Sequence, residues 1–117
     1  MAKIMVVDDE REILSLLNVF LKKKGFEVVL CQGGKPAIIE VIKNNAEIDL
    51  VILDRRMPDV DGFVVLEEIR KIEKYIPVIM LAGSLGGDTK KIPVDDFLMK
   101  PIDLNKLLEK VEKYLRN

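Results

Sequence analysis

Five short apolar runs alternate along the chain with segments in which apolar residues recur at helical spacing. The runs cover residues 4–7, 27–31, 50–53, 78–82 and 97–99. Repeated strand–helix units imply a parallel sheet with right-handed crossovers and helices on both faces. The first, third and fourth runs are almost continuously apolar, as central strands are, whereas the other two suit the edges. The pattern predicts a doubly wound five-stranded α/β sheet in the order 2-1-3-4-5.

Four helices are predicted around these strands. Gly25 supplies a stop for the first helix, Pro36 lies in the first turn of the second, the third starts near Gly62, and Asp103 is the expected N-cap of the last. The apolar positions expected to face the core are Ile13, Leu14, Leu16, Leu17, Phe20 and Leu21; Ala37, Ile38, Val41 and Ile42; Val64, Val65, Leu66, Ile69 and Ile72; and Leu104, Leu107, Leu108, Val111, Tyr114 and Leu115.

The connection between the fourth and fifth strands is poor in helix formers. Gly83, Gly86, Gly87 and Pro93 lie within it. Glycine costs roughly 1 kcal/mol per helical position and proline about 3 kcal/mol. We therefore expect a shortened or missing helix here, in a mobile loop.

Composition limits the function. The chain has 117 residues, a net charge of −1, one cysteine and no histidine. This length fits one domain, residues 1–117, and the charge predicts no direct contact with nucleic acid. No apolar run is long enough to span a membrane. The lone Cys31, expected to be a small buried or half-buried strand residue, cannot form an intramolecular disulfide, which favours the cytoplasm. The lack of histidine excludes Ser-His, Cys-His and His-metal chemistry.

Charged residues follow three of the predicted strands. Asp8 and Asp9 close the first strand, Asp54 closes the third, and Lys100 closes the fifth. Carboxyl ends of parallel strands share one edge of the sheet, where ligands bind. Two like charges about 4 Å apart repel by about 4 kcal/mol at an effective dielectric near 20, so the carboxylates need a cation or a raised pKa. Oxygen ligands suit Mg²⁺. With Lys100 holding a phosphoryl oxygen, the set predicts a phosphoryl-transfer site in which Asp54 could be the nucleophile.

Structural readings of the same residues stay open. Asp8 and Asp9 could cap the following helix and interact with its dipole. Lys100 taken alone would be a solvated surface lysine, because Lys is seldom buried. Asp59 and Asp61 are interpreted as turn and cap residues rather than ligands.

Four motifs together resemble the receiver domain of two-component response regulators, over essentially the whole chain. They are Val7-Asp8-Asp9, Leu53-Asp54-Arg55-Arg56-Met57-Pro58 with Asp61-Gly62, Pro77-Val78-Ile79-Met80-Leu81, and Phe97-Leu98-Met99-Lys100-Pro101. The chain is similar to single-domain chemotaxis-type regulators, and the resemblance implies a flavodoxin-like fold. It implies a signalling domain that catalyses only its own phosphorylation and dephosphorylation, not an enzyme acting on other substrates.

The resemblance also assigns roles to particular residues. It implies that Asp54 accepts a phosphoryl group from a sensor histidine kinase or a phosphotransfer protein, and that the domain then contacts a downstream protein target. Mg²⁺ would be held by the side chains of Asp9 and Asp54 and by the backbone carbonyl of Arg56, with Asp8 acting through a water. Lys100 would pair with the phosphoryl group, and the Lys100-Pro101 peptide bond would be cis. Phe97 matches the aromatic position that changes packing on activation.

Two departures from the family pattern leave alternatives open. Ala82 stands where receivers usually have Thr or Ser, whose hydroxyl bonds the phosphoryl oxygen; Ser84 is a conceivable substitute. The glycine-rich connection replaces a full helix. A degenerate receiver, acting as a phosphorylation-independent interaction module, is the main alternative. A Mg²⁺-dependent hydrolase or a flavin protein is a weaker one, because no Asp-x-Asp pair starts at Asp54 and the loop after the first strand is acidic.

Overall fold

The computed structural model describes residues 1–83 and 93–115. Its elements are β1 (Lys3–Val7), α1 (Arg11–Lys23), β2 (Glu27–Cys31), α2 (Gly34–Asn44), a short 3-10 helix (Asn45–Glu47), β3 (Leu50–Asp54), α3 (Gly62–Ile72), β4 (Val78–Ala82), β5 (Asp96–Met99) and α4 (Leu104–Leu115). The five strands and four helices match the sequence prediction, with strand ends within one residue. Among these described residues, no helix is both long and apolar enough to cross a membrane.

The predicted short or missing helix falls mainly on residues 84–92, which lie outside the described residues, as does Ser84. What the structure does describe are the two ends of this connection, at Gly83 and Pro93.

All strand pairs are parallel, in the order β2-β1-β3-β4-β5, which confirms the predicted topology of a flavodoxin-like sheet. The register aligns the strand ends that carry the charged residues. Val7 pairs with Leu53 across β1 and β3, Asp54 pairs with Leu81 across β3 and β4, and Ala82 pairs with Met99 across β4 and β5. The residues that follow these pairs therefore meet at one edge of the sheet.

The core has two layers, one on each face of the sheet. Helices α2 and α3 cover one face, and α1 and α4 cover the other. Alternate residues of the central strands enter opposite layers: Met5 and Val7 pack with α2 and α3, whereas Ile4 and Val6 pack with α1 and α4. Both faces of β1, β3 and β4 are buried, which explains why these strands are continuously apolar.

Three of the predicted core positions are exposed instead. Leu16, Ile42 and Val64 have 44%, 60% and 46% of their surface accessible. Each is adjacent in sequence to a buried residue, Leu17, Val41 and Val65 respectively. A neighbouring position is rotated by about 100° around a helix with 3.6 residues per turn. A helix on a sheet buries only a stripe, and these side chains point away from it.

The helix-end predictions are confirmed. Asp61 caps α3, its carboxylate accepting from the Phe63 N–H at 2.8 Å. Asp103 precedes α4 and accepts from the N–H groups of Asn105 and Lys106 at 2.9 and 3.2 Å. Gly25, just after α1, has φ +94°, a conformation that favours glycine. These side chains and turns satisfy backbone groups that a helix end leaves unpaired.

Gly62, the first residue of α3, lies against the backbone of residues 54 and 55. Its N–H donates to the Arg55 carbonyl at 2.7 Å. A Cβ on this residue would collide with the Asp54 carbonyl oxygen and would lie 2.8 Å from Arg55 Cα. The contacting atoms are main chain and cannot rotate away, so only glycine fits this position.

We expect Gly62→Ala to lower the free energy of unfolding by roughly 3 kcal/mol, the upper range for overpacking a rigid site. Urea denaturation would measure the loss. Gly25→Ala is the matched control: a Cβ there meets no atom within 4 Å, so only its positive φ should cost stability, about 1 kcal/mol. A Gly62→Ala protein as stable as the wild type would contradict the predicted collision.

Candidate functional site

Asp54 ends the central strand β3 and is almost completely buried, with 4% of its surface exposed. All five residues of β3 are buried, so the strand position is set by packing on both faces. The Arg55 N–H donates to the Leu81 carbonyl at 2.9 Å, and the chain then leaves the sheet. Asp54 is thus placed at the carboxyl edge, as predicted.

Two further carboxylates join Asp54. Oxygen atoms of Asp8, Asp9 and Asp54 all lie within 4.8 Å of one another. Asp8 is fully buried, and its Oδ1 accepts the Glu10 N–H at 2.9 Å. This bond resembles a local cap of the following segment. Asp8 and Asp9 also lie close to Asp54, so capping is not their only contact. The structure therefore brings together the three carboxylates that the sequence predicted to converge.

Lys100 is directed into this cluster from the next strand but one. Its backbone N–H donates to the Ala82 carbonyl at 2.8 Å, which aligns the end of β5 with β4. Its Nζ lies 3.1 Å from Asp54 Oδ1 and 3.4 Å from Asp8 Oδ2. The Lys100-Pro101 peptide bond is cis, as the resemblance implied. Lys100 is therefore an ion-pair partner of buried carboxylates rather than a solvated lysine.

Burial and repulsion between the carboxylates disfavour the ionised form of Asp54, which the ion pair with Lys100 favours. Burial, followed by the charge of Asp8, raises the pKa of Asp54 to about 6, although Lys100 opposes the shift. Burial likewise raises the pKa of Asp8, against the bond from Glu10 and the charge of Lys100. Burial lowers the pKa of Lys100, but the two carboxylates outweigh it and the net direction is upward. One ammonium thus compensates only part of the negative charge.

A cavity of about 210 Å³ opens beside Asp54. It is lined by Asp9, Glu10, Asp54, Arg55, Arg56, Ala82, Gly83 and Lys100. The volume suits a small anion with water, and cationic groups border it. Ala82 is 2% exposed and contributes a methyl group, which offers no hydrogen bond to a ligand in the cavity.

The set of site residues predicted from the sequence omitted three residues that line this cavity, Glu10, Arg55 and Gly83. Glu10 and Arg55 directly follow Asp9 and Asp54, so adjacency to predicted site residues was the available signal. The Arg55 guanidinium also lies 4.7 Å from the centre of the Phe63 ring, a distance typical of a cation–π contact. Glu10 and Arg55 thus add charged groups to the border of the cavity beyond those of the predicted set.

Other predicted residues lie around the cluster. Phe97 is partly buried and packs against the core layer under α2 and α3. Asp59 and Asp61 do not belong to the carboxylate cluster; both accept backbone N–H groups, which confirms their interpretation as turn and cap residues. Cys31 is buried, as expected.

The donor set fits a hard divalent cation. Three carboxylates supply oxygen ligands close together, and their charge exceeds that of Lys100. Mg²⁺ binds through one or two carboxylates while keeping several waters, and it requires no nitrogen or sulfur ligand. The chemistry of the residues present is therefore compatible with the metal that the sequence predicted.

Comparison with known proteins agrees with the fold. A family model described as the response regulator receiver domain matches residues 4–112. Regulatory protein VanRc of Enterococcus gallinarum is 40% identical over 119 aligned positions, 97% of this chain and 50% of VanRc. The 3′,5′-cyclic-nucleotide phosphodiesterase regA of Dictyostelium discoideum is 34% identical and is covered over 15% of its length. The chain thus spans half or less of these relatives.

Solved structures show the same likeness. Response regulator protein TrrA of Thermotoga maritima, in complex with Mg²⁺-BeF, has a TM-score of 0.89 and 36% identity, over 98% of this chain and 100% of TrrA. TrrA in complex with histidine kinase ThkA has a TM-score of 0.87 and 36% identity, over 98% of this chain and 99% of TrrA. The chain belongs to the response regulator receiver domain family, whose members are signalling domains.

The raised pKa of Asp54 predicts that removing its charge stabilises the metal-free protein. The folded state binds this proton more tightly than the unfolded chain, so stability falls between pH 3.8 and about 6 and the full penalty applies above that window. At about 1.4 kcal/mol per pKa unit, Asp54→Asn should add roughly 1–3 kcal/mol at neutral pH. Urea unfolding in EDTA would measure the gain, which should shrink as the pH approaches 3.8.

Asp96→Asn is a control that should change the free energy of unfolding in the opposite direction. Burial raises the pKa of Asp96, but bonds from Lys110 and from the Phe97 N–H outweigh it, so the net direction is downward. Asp96 therefore contributes stability above its ordinary pKa of 3.8 that is lost as the pH falls through the depressed value. Its replacement should destabilise at neutral pH. A loss of stability in Asp54→Asn under the same conditions would contradict the electrostatic account.

Proposed function

We propose that Asp54 accepts a phosphoryl group from the phosphohistidine of a sensor histidine kinase or phosphotransfer protein, and that the phosphorylated domain signals by contact with a downstream protein target. The observation that carries the proposal is the buried Asp54 carboxylate at a strand end, with Lys100 Nζ at 3.1 Å. Membership of the receiver family supports it. The complex of TrrA with the histidine kinase ThkA supports a kinase as partner.

In the proposed reaction, an Asp54 carboxylate oxygen attacks the phosphorus atom. The P–N bond breaks, its electron pair returns to the imidazole, and an acyl phosphate forms on Asp54. The nucleophile must be ionised. Burial raises the pKa of Asp54 to about 6 in the metal-free protein, so a bound cation would favour the carboxylate form. Although burial lowers the pKa of Lys100, the neighbouring carboxylates raise it overall, so its ammonium would donate to a phosphoryl oxygen at neutral pH. Attack of water on the acyl phosphate would release inorganic phosphate and restore the carboxylate.

The residues that would hold Mg²⁺ are the carboxylates of Asp9 and Asp54 and the backbone carbonyl of Arg56, with Asp8 acting through a water. When bound, the ion would offset the charge of the carboxylates and of the incoming phosphoryl oxygens. The proximity of the three carboxylates supports this assignment, as does the Mg²⁺-BeF complex of TrrA.

Ala82 should weaken the coupling of phosphorylation to conformational change. A hydrogen bond to a charged group contributes roughly 1.5–3 kcal/mol, whereas a near-complete two-state shift needs about 5.5 kcal/mol. Without a hydroxyl at residue 82, part of that driving force is missing. We propose that Phe97 still changes its packing, but that the active and inactive forms coexist after phosphorylation.

The buried methyl of Ala82 also favours a second candidate function. A receiver whose output does not depend on phosphate would act as a protein-interaction module. The retained carboxylate cluster and Lys100 favour the first candidate, because such a module would not need them. Under either function, residues 1–117 would act as a single receiver domain in the cytoplasm.

Intact-mass spectrometry after incubation with acetyl phosphate and Mg²⁺ tests the proposed function. We expect one phosphoryl adduct in the wild type and none in Asp54→Asn, because the amide is not a nucleophile. Asp61→Asn, which changes a helix cap in the same region, should still be modified. A wild type without an adduct, under conditions that modify TrrA, would favour the phosphate-independent module.

Mg²⁺ should stabilise the protein, since a ligand that binds only the folded state raises its stability. At about ten times its Kd the ion should contribute about 1.4 kcal/mol, or roughly 5 °C in Tm for a domain of this size. Differential scanning fluorimetry with and without Mg²⁺ would measure this shift. Asp9→Ala should lose most of it, and an equal shift in that variant would count against the assigned ligands.

A further inference from the structure

Asp59 connects the segment after the phosphoacceptor to a different helix. We call residues 55–61, between β3 and α3, the acceptor loop. Asp59 Oδ1 accepts the Gly34 N–H at 3.0 Å and Oδ2 accepts the Lys35 N–H at 2.9 Å, both in the first turn of α2. Oδ1 also accepts the Val60 N–H at 2.8 Å within the loop. One carboxylate thus joins two segments that are distant in sequence.

The start of α2 is built for this contact. Its N-cap, Gly33, has no side chain to accept the unpaired N–H groups of the first turn, so Asp59 supplies the acceptors from outside the helix. A Cβ on Gly33 would lie 2.9 Å from Asp59 Oδ2, and a Cβ on Gly34 would lie 2.9 Å from Val60 Cβ. Two consecutive glycines therefore allow the acceptor loop to approach the helix closely.

The acceptor loop is also held at its ends and at Met57, whose side chain is buried in the core layer under α2 and α3. The Arg55 N–H donates to the Leu81 carbonyl, and the Gly62 N–H donates to the Arg55 carbonyl, at 2.9 and 2.7 Å. Asp59 holds the second half of the loop through its hydrogen bonds to α2. Arg56, three residues earlier, lines the cavity beside Asp54. The position of the Arg56 backbone thus depends on the loop ends, on the packing of Met57 and on the Asp59 contact.

We propose that Asp59 is a positioning residue that holds the acceptor loop so that the Arg56 carbonyl stays at the metal site. This inference rests on the proposed function, in which that carbonyl is a ligand. Asp59 acts through the loop, because its own carboxylate is occupied by the first turn of α2 and lies outside the cluster of Asp8, Asp9 and Asp54. Its loss should weaken metal binding without removing a ligand.

Calorimetric titration with Mg²⁺ tests the proposal in Asp59→Ala, Asp59→Asn and the wild type. Replacing a residue that orients a metal ligand typically costs at least tenfold in affinity, so we expect a Kd roughly ten times higher in Asp59→Ala. Asp59→Asn keeps one carbonyl oxygen as an acceptor, and its Kd should lie between the other two. The Gly34 and Lys35 amides should exchange faster with solvent in both variants.

Asp103→Ala is the matched control. It removes a carboxylate that caps α4 through two N–H groups, the same kind of contact outside the acceptor loop. Its Mg²⁺ Kd should equal that of the wild type. Urea denaturation would check that each variant is folded under the titration conditions. If Asp59→Ala is unfolded, the Kd of Asp59→Asn is compared with that of the wild type instead.

The rate of phosphorylation distinguishes a positioning role for Asp59 from a general loss of stability. With acetyl phosphate at low Mg²⁺, Asp59→Ala should be modified several-fold more slowly than the wild type, and saturating Mg²⁺ should restore the rate. Two results would overturn this inference alone. One is an Asp59→Ala phosphorylation rate that stays low at saturating Mg²⁺. The other is an Asp59→Ala Kd equal to that of the wild type, provided that the wild type binds Mg²⁺. Equal Kd values in Asp59→Ala and Asp59→Asn would also overturn it, since charge rather than the contacts would then matter. A wild type that neither binds Mg²⁺ nor is modified would overturn the proposed function as well.

Discussion

The site depends on a charge imbalance that the fold keeps buried. Asp8 and Asp54 are removed from solvent at the end of the central strands, and only Lys100 is paired with them among the described residues. An ammonium 3.1 Å from one carboxylate and 3.4 Å from another cannot neutralise both, and burial together with the charge of Asp8 raises the pKa of Asp54 to about 6. The folded protein therefore keeps an unfavourable local charge, which a bound cation would offset under the proposed function.

Packing on both faces of the sheet makes this imbalance sustainable. Each central strand is anchored in two core layers, so the ends of β1 and β3 cannot separate to relieve the repulsion without disrupting the core. Backbone bonds at the ends of the strands, from Arg55 to Leu81 and from Lys100 to Ala82, hold the charged side chains in register. The stability of the hydrophobic layers thus maintains the geometry of the charged cluster.

Under the proposed function, Ala82 separates phosphoryl acceptance from conformational output. The carboxylates and Lys100, which would accept the phosphoryl group, lie together in the structure. Residue 82, which would couple acceptance to a conformational change, contributes only a buried methyl group. Acceptance and output could then differ in strength, and the positioning role proposed for Asp59 concerns acceptance alone.

The sequence by itself determined the order of elements, the parallel topology and the convergence of Asp8, Asp9, Asp54 and Lys100. These follow from local periodicity and from the rule that parallel strands end at one edge. Periodicity did not predict that Leu16, Ile42 and Val64 are exposed, because the width of a buried stripe depends on the surface that a helix meets. Only the tertiary structure decided how far the pKa of Asp54 rises, which residues line the cavity, and that Asp59 caps α2. These features arise from distances between segments far apart in the chain, which no local pattern records.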